Sequence, residues 1–397
     1  MSQDGYALLV VDDNEDNRYT LTNRLKRQGY TNLATAADGQ EALDLLRTRP
    51  FDLVLLDIMM PGMNGYQVLE QLKADEKLRH LPVIMISAVD EFESVIRCIE
   101  LGAEDYLPKP FNPTLLKARI GACLQKKRLQ DQVRAHLEQI EQELRTAREL
   151  QKSMVPSAFP APTALMPVEV HAAMEPARQV GGDLYDFFTL DDGRFCFLVG
   201  DVSDKGVPAA LFMARTKTLV RLVATMFRLS NRAVPPPHDI IARVNHELCR
   251  ENRGCMFVTL FFGILAPGSG EVAFCNAGHL APYLIGRPGG IVPLDGAHAK
   301  PLGIRGDVRY ETGTCRLRPG EGMFLFTDGI TDALDTEGHP FTEDRLEATL
   351  RALTPGDPEH IVRGVVGTVL DFVRGTVQED DITALAFRVV RVPGGPA

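Results

Sequence analysis

Four short segments in the C-terminal half of the chain place an aspartate at the edge of an apolar run, beside glycine or threonine. They are VGGDLYDFF (Asp183), VGDVSDKG (Asp201), FTDGITDA (Asp328) and EDDIT (Asp380 and Asp381). Glycine lets a backbone carbonyl approach an ion closely. Carboxylates drawn from four distant places in a sequence can converge on two divalent cations with water between them. That arrangement lowers the pKa of the water and clamps a phosphate for in-line displacement. Oxygen-only ligands favour Mg2+ or Mn2+ over zinc. Any one of these segments alone reads as a turn; four in this order read as a site. His279, in the AGH segment, is a candidate acid for a leaving group or a turn histidine. Arg178 is a candidate phosphate ligand or an ordinary surface arginine.

A second acid group lies near the N-terminus. Asp12 and Asp13 follow the apolar run ALLVV (7–11), and Asp57 follows DLVLL (52–56). Ser87 follows PVIMI (82–86), and Lys109 follows the strand DYL (105–107). A single aspartate at such a place is usually a helix cap or turn former. Five polar residues on the strand ends of one sheet are more than that. Three carboxylates in a small pocket need a cation, and oxygen ligands with spare water sites suit Mg2+. A lysine and a hydroxyl facing them could hold a phosphoryl group on one of the acids.

The elements that must position these groups fall into three segments. Residues 7 to about 124 alternate short apolar runs with amphipathic stretches, five strands and five helices, which predicts a doubly wound parallel sheet. In such sheets ligands gather at the carboxyl ends of the strands, where Asp12, Asp13 and Asp57 fall. From 125 to 155 there is neither glycine nor proline, and Leu137, Ile140, Leu144, Ala147, Leu150 and Met154 recur three and four apart. This predicts a long helix with a narrow apolar stripe, either packed between domains or paired with a second copy as a coiled coil. From Pro156 to about 392, strand-like runs joined by Gly/Pro turns, with helices at 208–228, 238–250 and 357–374, predict an α+β sandwich flanked by helices.

Bulk properties exclude several classes. The net charge of −10 argues against a general nucleic-acid binder, and the tail RVVRVPGGPA offers no basic helix-turn-helix. No apolar stretch is long enough to span a bilayer, and the N-terminal residues do not form a signal peptide. Seven scattered cysteines without a CxxC pair read as reduced thiols in a cytoplasmic protein. None has an arginine six positions on, so a cysteine-nucleophile phosphatase signature is absent.

Residues 6–124 resemble a response-regulator receiver domain, through VVDDNEDNR, DLVLLDIMMPGMNGYQVL, PVIMISA and GAEDYLPKPF. The resemblance implies Asp57 as phospho-acceptor, Asp12 and Asp13 as Mg2+ acids, and the Met59 carbonyl completing the metal set. It also implies Lys109 and Ser87 as phosphate-sensing partners, Tyr106 as the switch aromatic, and a sensor histidine kinase as phosphoryl donor.

Residues 150–390 resemble the PPM-type metal-dependent serine/threonine phosphatases, in the SpoIIE/RsbU branch. Beyond the acids, the matching segments are LQKSMVPSAFP, NAGHLAPYLI, PLGI and TDGITDALDTEGHPFTEDRL. The resemblance implies that Asp201 bridges two Mn2+ or Mg2+ ions and the Val202 carbonyl binds one. Asp328 and Asp380 complete the other ion's shell, and Asp183 binds or orients metal-bound water. Asp380 is favoured over Asp381 as the direct ligand. His279 becomes a structural turn residue, and Tyr185 and Asp186 become scaffold. Asp204 stands where much of the family has glycine, which implies a positive φ that aspartate tolerates and leaves room for a role in capping the next helix.

Together these give an expected architecture of receiver (1–124), helical linker (125–155) and phosphatase domain (156–392). The implied activity is dephosphorylation of a phosphorylated STAS-type anti-sigma-factor antagonist under the control of Asp57, in a homodimer joined through the linker. The rival expectation is a non-catalytic adaptor that binds partners through a phosphatase-like domain. The complete acid set favours the enzyme.

Overall fold

The computed structural model describes residues 5–88, 92–163, 166–226, 234–250, 252–287 and 290–391. The chain divides into two compact units, Met1–Ile140 and Glu141–Ala397. The expected helix end at 227–228 and the expected domain end at 392 lie outside the described residues.

In the first unit, β1 (Ala7–Val11), α1 (Glu15–Arg27), β2 (Asn32–Ala36), α2 (Gly39–Thr48), β3 (Leu53–Asp57), α3 (Gly65–Ala74), β4 (Val83–Ser87), α4 (Phe92–Glu100) and β5 (Asp105–Pro108) alternate. The strands form one parallel sheet in the order β2-β1-β3-β4-β5. Successive side chains leave opposite faces of a strand. Leu9, Val11, Val54 and Leu56 therefore meet α2 and α3 on one side. Leu8, Val10, Leu53 and Leu55 meet Leu21, Leu25, Leu116 and Ile120 on the other. Burial on both faces explains why these strands read as unbroken apolar runs.

A single helix, α5 (Pro113–Met154), carries the chain out of this unit. The sequence predicts two helices here, one closing the sheet and one starting at 125. They are continuous, because nothing between them stops a helix; Gly121 alone weakens the run, by about 1 kcal/mol relative to alanine.

The second unit continues with β6 (Val168–Glu175), β7 (Leu184–Thr189), β8 (Phe195–Val202), α6 (Val207–Met226), α7 (Pro237–Cys249), β9 (Val258–Ala266) and β10 (Glu271–Ala277). It is completed by β11 (Tyr283–Arg287), β12 (Gly290–Pro293), β13 (Gly313–Arg316), β14 (Gly322–Phe326), α8 (Asp328–Thr331), α9 (Thr342–Leu353), α10 (Pro358–Phe372) and β15 (Ile382–Val389). Two antiparallel sheets, β13-β10-β9-β8-β7 and β12-β11-β14-β15-β6, face each other as a sandwich. Phe187, Phe195, Phe197 and Phe261 of one sheet and Leu325, Leu385 and Phe387 of the other fill the space between them. The outer face of the first sheet packs on α6 and α7, and that of the second on α8, α9 and α10. The predicted α+β sandwich is present. No helix of the described residues is long and apolar enough to cross a membrane.

Candidate active site

In the parallel sheet, Val11 pairs with Leu56, so the residues that follow, Asp12 and Asp57, stand side by side at the carboxyl ends of β1 and β3. Ligand oxygens of Asp12, Asp13 and Asp57 lie within 4.8 Å of one another. Lys109, just beyond β5, reaches Asp12 Oδ2 at 2.7 Å and Asp57 Oδ1 at 3.0 Å. The Asn14 amide and the Asn17 side chain donate to Asp12 Oδ1 at 3.0 and 3.1 Å, which fixes that carboxylate. Burial pushes Asp57 above the ordinary carboxylate range, despite the hydrogen bond and charge of Lys109. Burial alone would lower Lys109, but its hydrogen bonds to Asp12 and Asp57 outweigh it and leave the lysine raised. Ser87 ends β4 next to Asp57 and is buried. Tyr106 is buried in β5, while the Met59 side chain is exposed beyond β3. The donor set, three carboxylates open to solvent through Asp13, fits a hydrated hard cation such as Mg2+.

In the sandwich, Leu184 pairs with Gly200, which sets Asp183 beside Asp201 at the ends of β7 and β8. Thr327 N donates to Thr383 O, placing Asp328 and the turn before β15 together at the matching end of the other sheet. The Thr327 hydroxyl then crosses between the sheets and donates to Asp183 Oδ2 at 2.8 Å. The electrostatics record the convergence. Burial, then Asp201 and Asp381, push Asp183 well above the ordinary carboxylate range. Burial, then Asp328, Asp380 and Asp381, push Asp201 up to about 7. Asp328 is raised by burial and by Asp380. Among the described residues only Asp12, Asp13 and Asp57 bring three ligand atoms within 4.8 Å, so the sandwich acids are spread more widely. Oxygen donors throughout the set fit hard divalent cations such as Mg2+ or Mn2+ rather than zinc.

Asp380 and Asp381 differ in what they touch. Asp381 Oδ1 accepts from Ala177 N at 2.8 Å, and its Oδ2 accepts from Gly182 N at 2.7 Å and from Asp183 N at 3.4 Å. Asp380 Oδ2 lies 3.0 Å from Lys205 Nζ, and its side chain is 44% exposed. Two glycines are required by this packing. A Cβ on Gly181 would sit 1.9 Å from Asp381 Oδ2, and one on Gly329 would sit 2.0 Å from the Asp381 carbonyl. Val202, the last residue of β8, is buried and pairs with Val258.

The remaining candidates separate cleanly. His279 is buried, its Nδ1 pairs with Thr259 Oγ1 at 2.9 Å, and burial pulls its pKa down to about 4. Its backbone is braced by the Asn276 side chain. Such a histidine is structural. The Tyr185 hydroxyl donates to Pro156 O, and fully buried Asp186 pairs with Lys217 and Arg221 of α6, so both are scaffold. Arg178 is exposed and lines a groove with Arg148 and Gln179. Asp204 has φ of 77°, as its place in a glycine position implies, and its carboxylate accepts from the Lys205 amide rather than capping α6. Sequence reasoning gave no role to Thr327, Lys205 or Gln151. Lys205 and Thr327 lie inside quoted motifs next to acids, and Gln151 lies inside the quoted LQKSMVPSAFP beside the apolar stripe; those were the available signals.

Residues 8–121 match the response regulator receiver domain. Residues 191–390, about half of the chain, match Stage II sporulation protein E. The chain belongs to the SpoIIE family. Within it, this chain carries a receiver domain ahead of the SpoIIE-family domain. Protein IcfG of Synechocystis sp. is 30% identical over 270 residues, which cover 62% of this chain and 41% of IcfG. Chemotaxis protein CheY of Pseudomonas aeruginosa is 40% identical over 113 residues, covering 28% of this chain and 91% of CheY. The SiaA-PP2C domain of Pseudomonas aeruginosa superposes with a TM-score of 0.53 at 21% identity, over 64% of this chain and 98% of that domain, and shows the shared fold. The chain spans about 41% to 47% of the length of the first curated relatives it matches.

Proposed function

We propose that the SpoIIE-family domain is a metal-dependent protein serine/threonine phosphatase whose activity is controlled by phosphorylation of Asp57. The observation that carries the reading is the convergence of Asp183, Asp201, Asp328 and Asp380 at one end of the sandwich, where Asp201 is held at about 7. Asp201, with the Val202 carbonyl, Asp328 and Asp380, would hold two Mn2+ or Mg2+ ions, and Asp183 would orient the water between them. Bound there, the ions supply a nucleophilic water near neutral pH and positive charge opposite the substrate phosphate. The chain itself fixes the carboxylates: Thr327 holds Asp183, and Asp381 holds the backbone that leads into it.

In the receiver, Asp12, Asp13 and the Met59 carbonyl would hold Mg2+ while Asp57 accepts a phosphoryl group from a histidine kinase. Lys109 already touches Asp57, and with Ser87 it can follow the added charge inward, with Tyr106 responding. The substrate we infer is a phosphorylated STAS-type anti-sigma-factor antagonist in the cytoplasm, and the active species is a dimer paired through α5. The test is Mn2+-dependent hydrolysis of p-nitrophenyl phosphate by the full chain, with Asp201→Asn and Asp328→Asn beside it. Activity should be lost in both variants. Equal activity in all three proteins would sink the reading, and no hydrolysis by any of them would leave the adaptor.

A further inference from the structure

Gln151 lies one turn from the C-terminal end of α5 and is 4% exposed, whereas its neighbour Leu150 is 58% exposed. It lies seven residues beyond Leu144 and four beyond Ala147, on the face of α5 those half-buried residues share, where a hydrophobic residue is the ordinary choice. A buried amide side chain must find partners for both its ends. Gln151 finds both in one residue. Its Nε2 donates to Gly181 O at 2.6 Å, and its Oε1 accepts from Gly181 N at 3.0 Å. The pair of bonds clamps a single peptide segment against the helix.

The clamped residue stands at the door of the acid site. Gly181 has no room for a side chain because the Asp381 carboxylate fills that space. The next amide, Gly182 N, donates to that same carboxylate at 2.7 Å, and the residue after it is Asp183. From α5 to the site the connections run Gln151 to Gly181, Gly181–Gly182 to Asp381, and Gly182 to Asp183, with no exposed residue between them. Each contact is a buried hydrogen bond or a covalent step, so displacing the end of α5 must move Gly181 or break both bonds.

We propose that Gln151 is a positioning residue that ties the end of α5 to the cation-binding carboxylates, holding the 177–183 segment in the geometry that lets Asp183 and its neighbours bind metal. The proposal rests on the reading of those acids as metal ligands. It gives the long helix a defined point of action on the site: the Gly181 peptide. Partners of this kind, which hold a ligand rather than touch the ion, typically change metal affinity by roughly 10- to 100-fold when removed.

The experiment compares the full chain with Gln151→Leu, which keeps the side-chain volume and removes both bonds, and with Leu150→Ala as an exposed neighbour control. Two readouts are taken without substrate: hydrogen–deuterium exchange of peptides covering 177–186 in EDTA-treated protein, and Mn2+ titration by calorimetry. Hydrolysis of p-nitrophenyl phosphate against Mn2+ concentration is the third. Gln151→Leu should exchange faster at 181–183 and bind Mn2+ roughly tenfold more weakly. Its hydrolysis should recover toward the wild-type maximum at saturating Mn2+, while Leu150→Ala behaves as wild type. A lower melting temperature with wild-type exchange at 181–183 and wild-type Mn2+ affinity would overturn the proposal and leave Gln151 as ordinary packing. Should Gln151→Leu fail to fold, Gln151→Glu, which can still accept from Gly181 N, is read by the same measures. An unchanged Mn2+ affinity there overturns the proposal equally. Hydrolysis absent from wild type, with the exchange and affinity shifts present, would sink the phosphatase reading and leave the positioning role standing.

Discussion

Asp380 and Asp381 are adjacent in sequence and differ in reach: Asp381 accepts the distant Ala177 and Gly182 amides on its two oxygens, while Asp380 accepts the neighbouring Asp381 amide and otherwise turns to Lys205 and solvent. Their substitution should therefore separate two kinds of loss. Asp380→Asn removes a charge from the proposed cation site and keeps an oxygen for the Asp381 amide, so the melting temperature should stay near wild type while Mn2+ binding weakens. In Asp381→Asn one oxygen becomes a donor facing an amide donor, and the fold should lose about 2 kcal/mol. Urea unfolding beside Mn2+ calorimetry checks this. Asp381→Asn with undiminished stability would contradict the assignment.

On the proposed reading, protons and cations compete for Asp201. Burial and the neighbouring acids hold it at about 7, so below that pH a cation must displace a proton. Mn2+ affinity should fall about tenfold for each pH unit below 7, with one or more protons released on binding. Calorimetry in buffers of different ionisation enthalpy measures that release directly. A pH-independent affinity between about pH 5.5 and 7 would show that Asp201 is not a ligand.

The receiver makes a separate prediction. Lys109 bridges Asp12 and Asp57, so the Asp57 carboxylate proposed as phospho-acceptor is already placed against a cationic group. Acetyl phosphate with Mg2+ should add one phosphoryl group to the wild-type chain and none to Asp57→Asn, seen on a phosphate-affinity gel. Beryllofluoride should change the hydrolysis rate of the wild type and not that of Asp57→Asn. A response retained in Asp57→Asn would place the control elsewhere.

The acids were legible because their strands are buried on both faces. An unbroken apolar run such as β1 or β8 ends visibly, and the residue after it must sit at the sheet's edge. The five-stranded parallel sheet and the sandwich followed from the same runs. What stayed hidden depends on partners far away in sequence. Nothing local distinguishes Asp380 from Asp381, because the difference is made by the Ala177 and Gly182 amides some two hundred residues earlier. Gln151 likewise gains its meaning from Gly181. β12 and β13 are four residues each and too short to carry a pattern. The merging of two expected helices into α5 reflects the lack of any stop signal after Gly121.

His279 gives a stability prediction with a definite sign. Burial lowers it from an ordinary 6.5 to about 4, so between those values the unfolded chain binds a proton that the folded chain refuses. Stability from this residue is complete above 6.5 and is lost as pH falls, by about 2 kcal/mol near pH 5. Asp201 acts in the opposite sense: its raised pKa contributes stability at low pH that is lost as pH rises through about 7. The wild-type profile should thus be flatter than either group alone would make it. His279→Asn removes the slope that opposes the raised carboxylates, so its metal-free stability should fall more steeply than wild type as pH rises from about 5 to 7. Parallel profiles for the two proteins would show that His279 is not held neutral.

The last prediction concerns the free face of α5. Val133, Leu137 and Ile140 are 59%, 55% and 52% exposed, four and three residues apart, and the stripe continues into the half-buried Leu144 and Ala147. Spacing of this kind is the seam of a coiled coil, and a run of large apolar residues left in water needs a partner. Flanking charges such as the Arg134–Glu138 pair lie beside the stripe and leave it clear. The seam suits a second copy of the same helix. Sedimentation velocity should show a dimer for the wild type and a monomer for Leu137→Lys combined with Ile140→Lys, with far-UV dichroism of the folded domains retained. A wild-type monomer at micromolar concentration, or a dimer that survives both lysines, would remove α5 as the dimer contact.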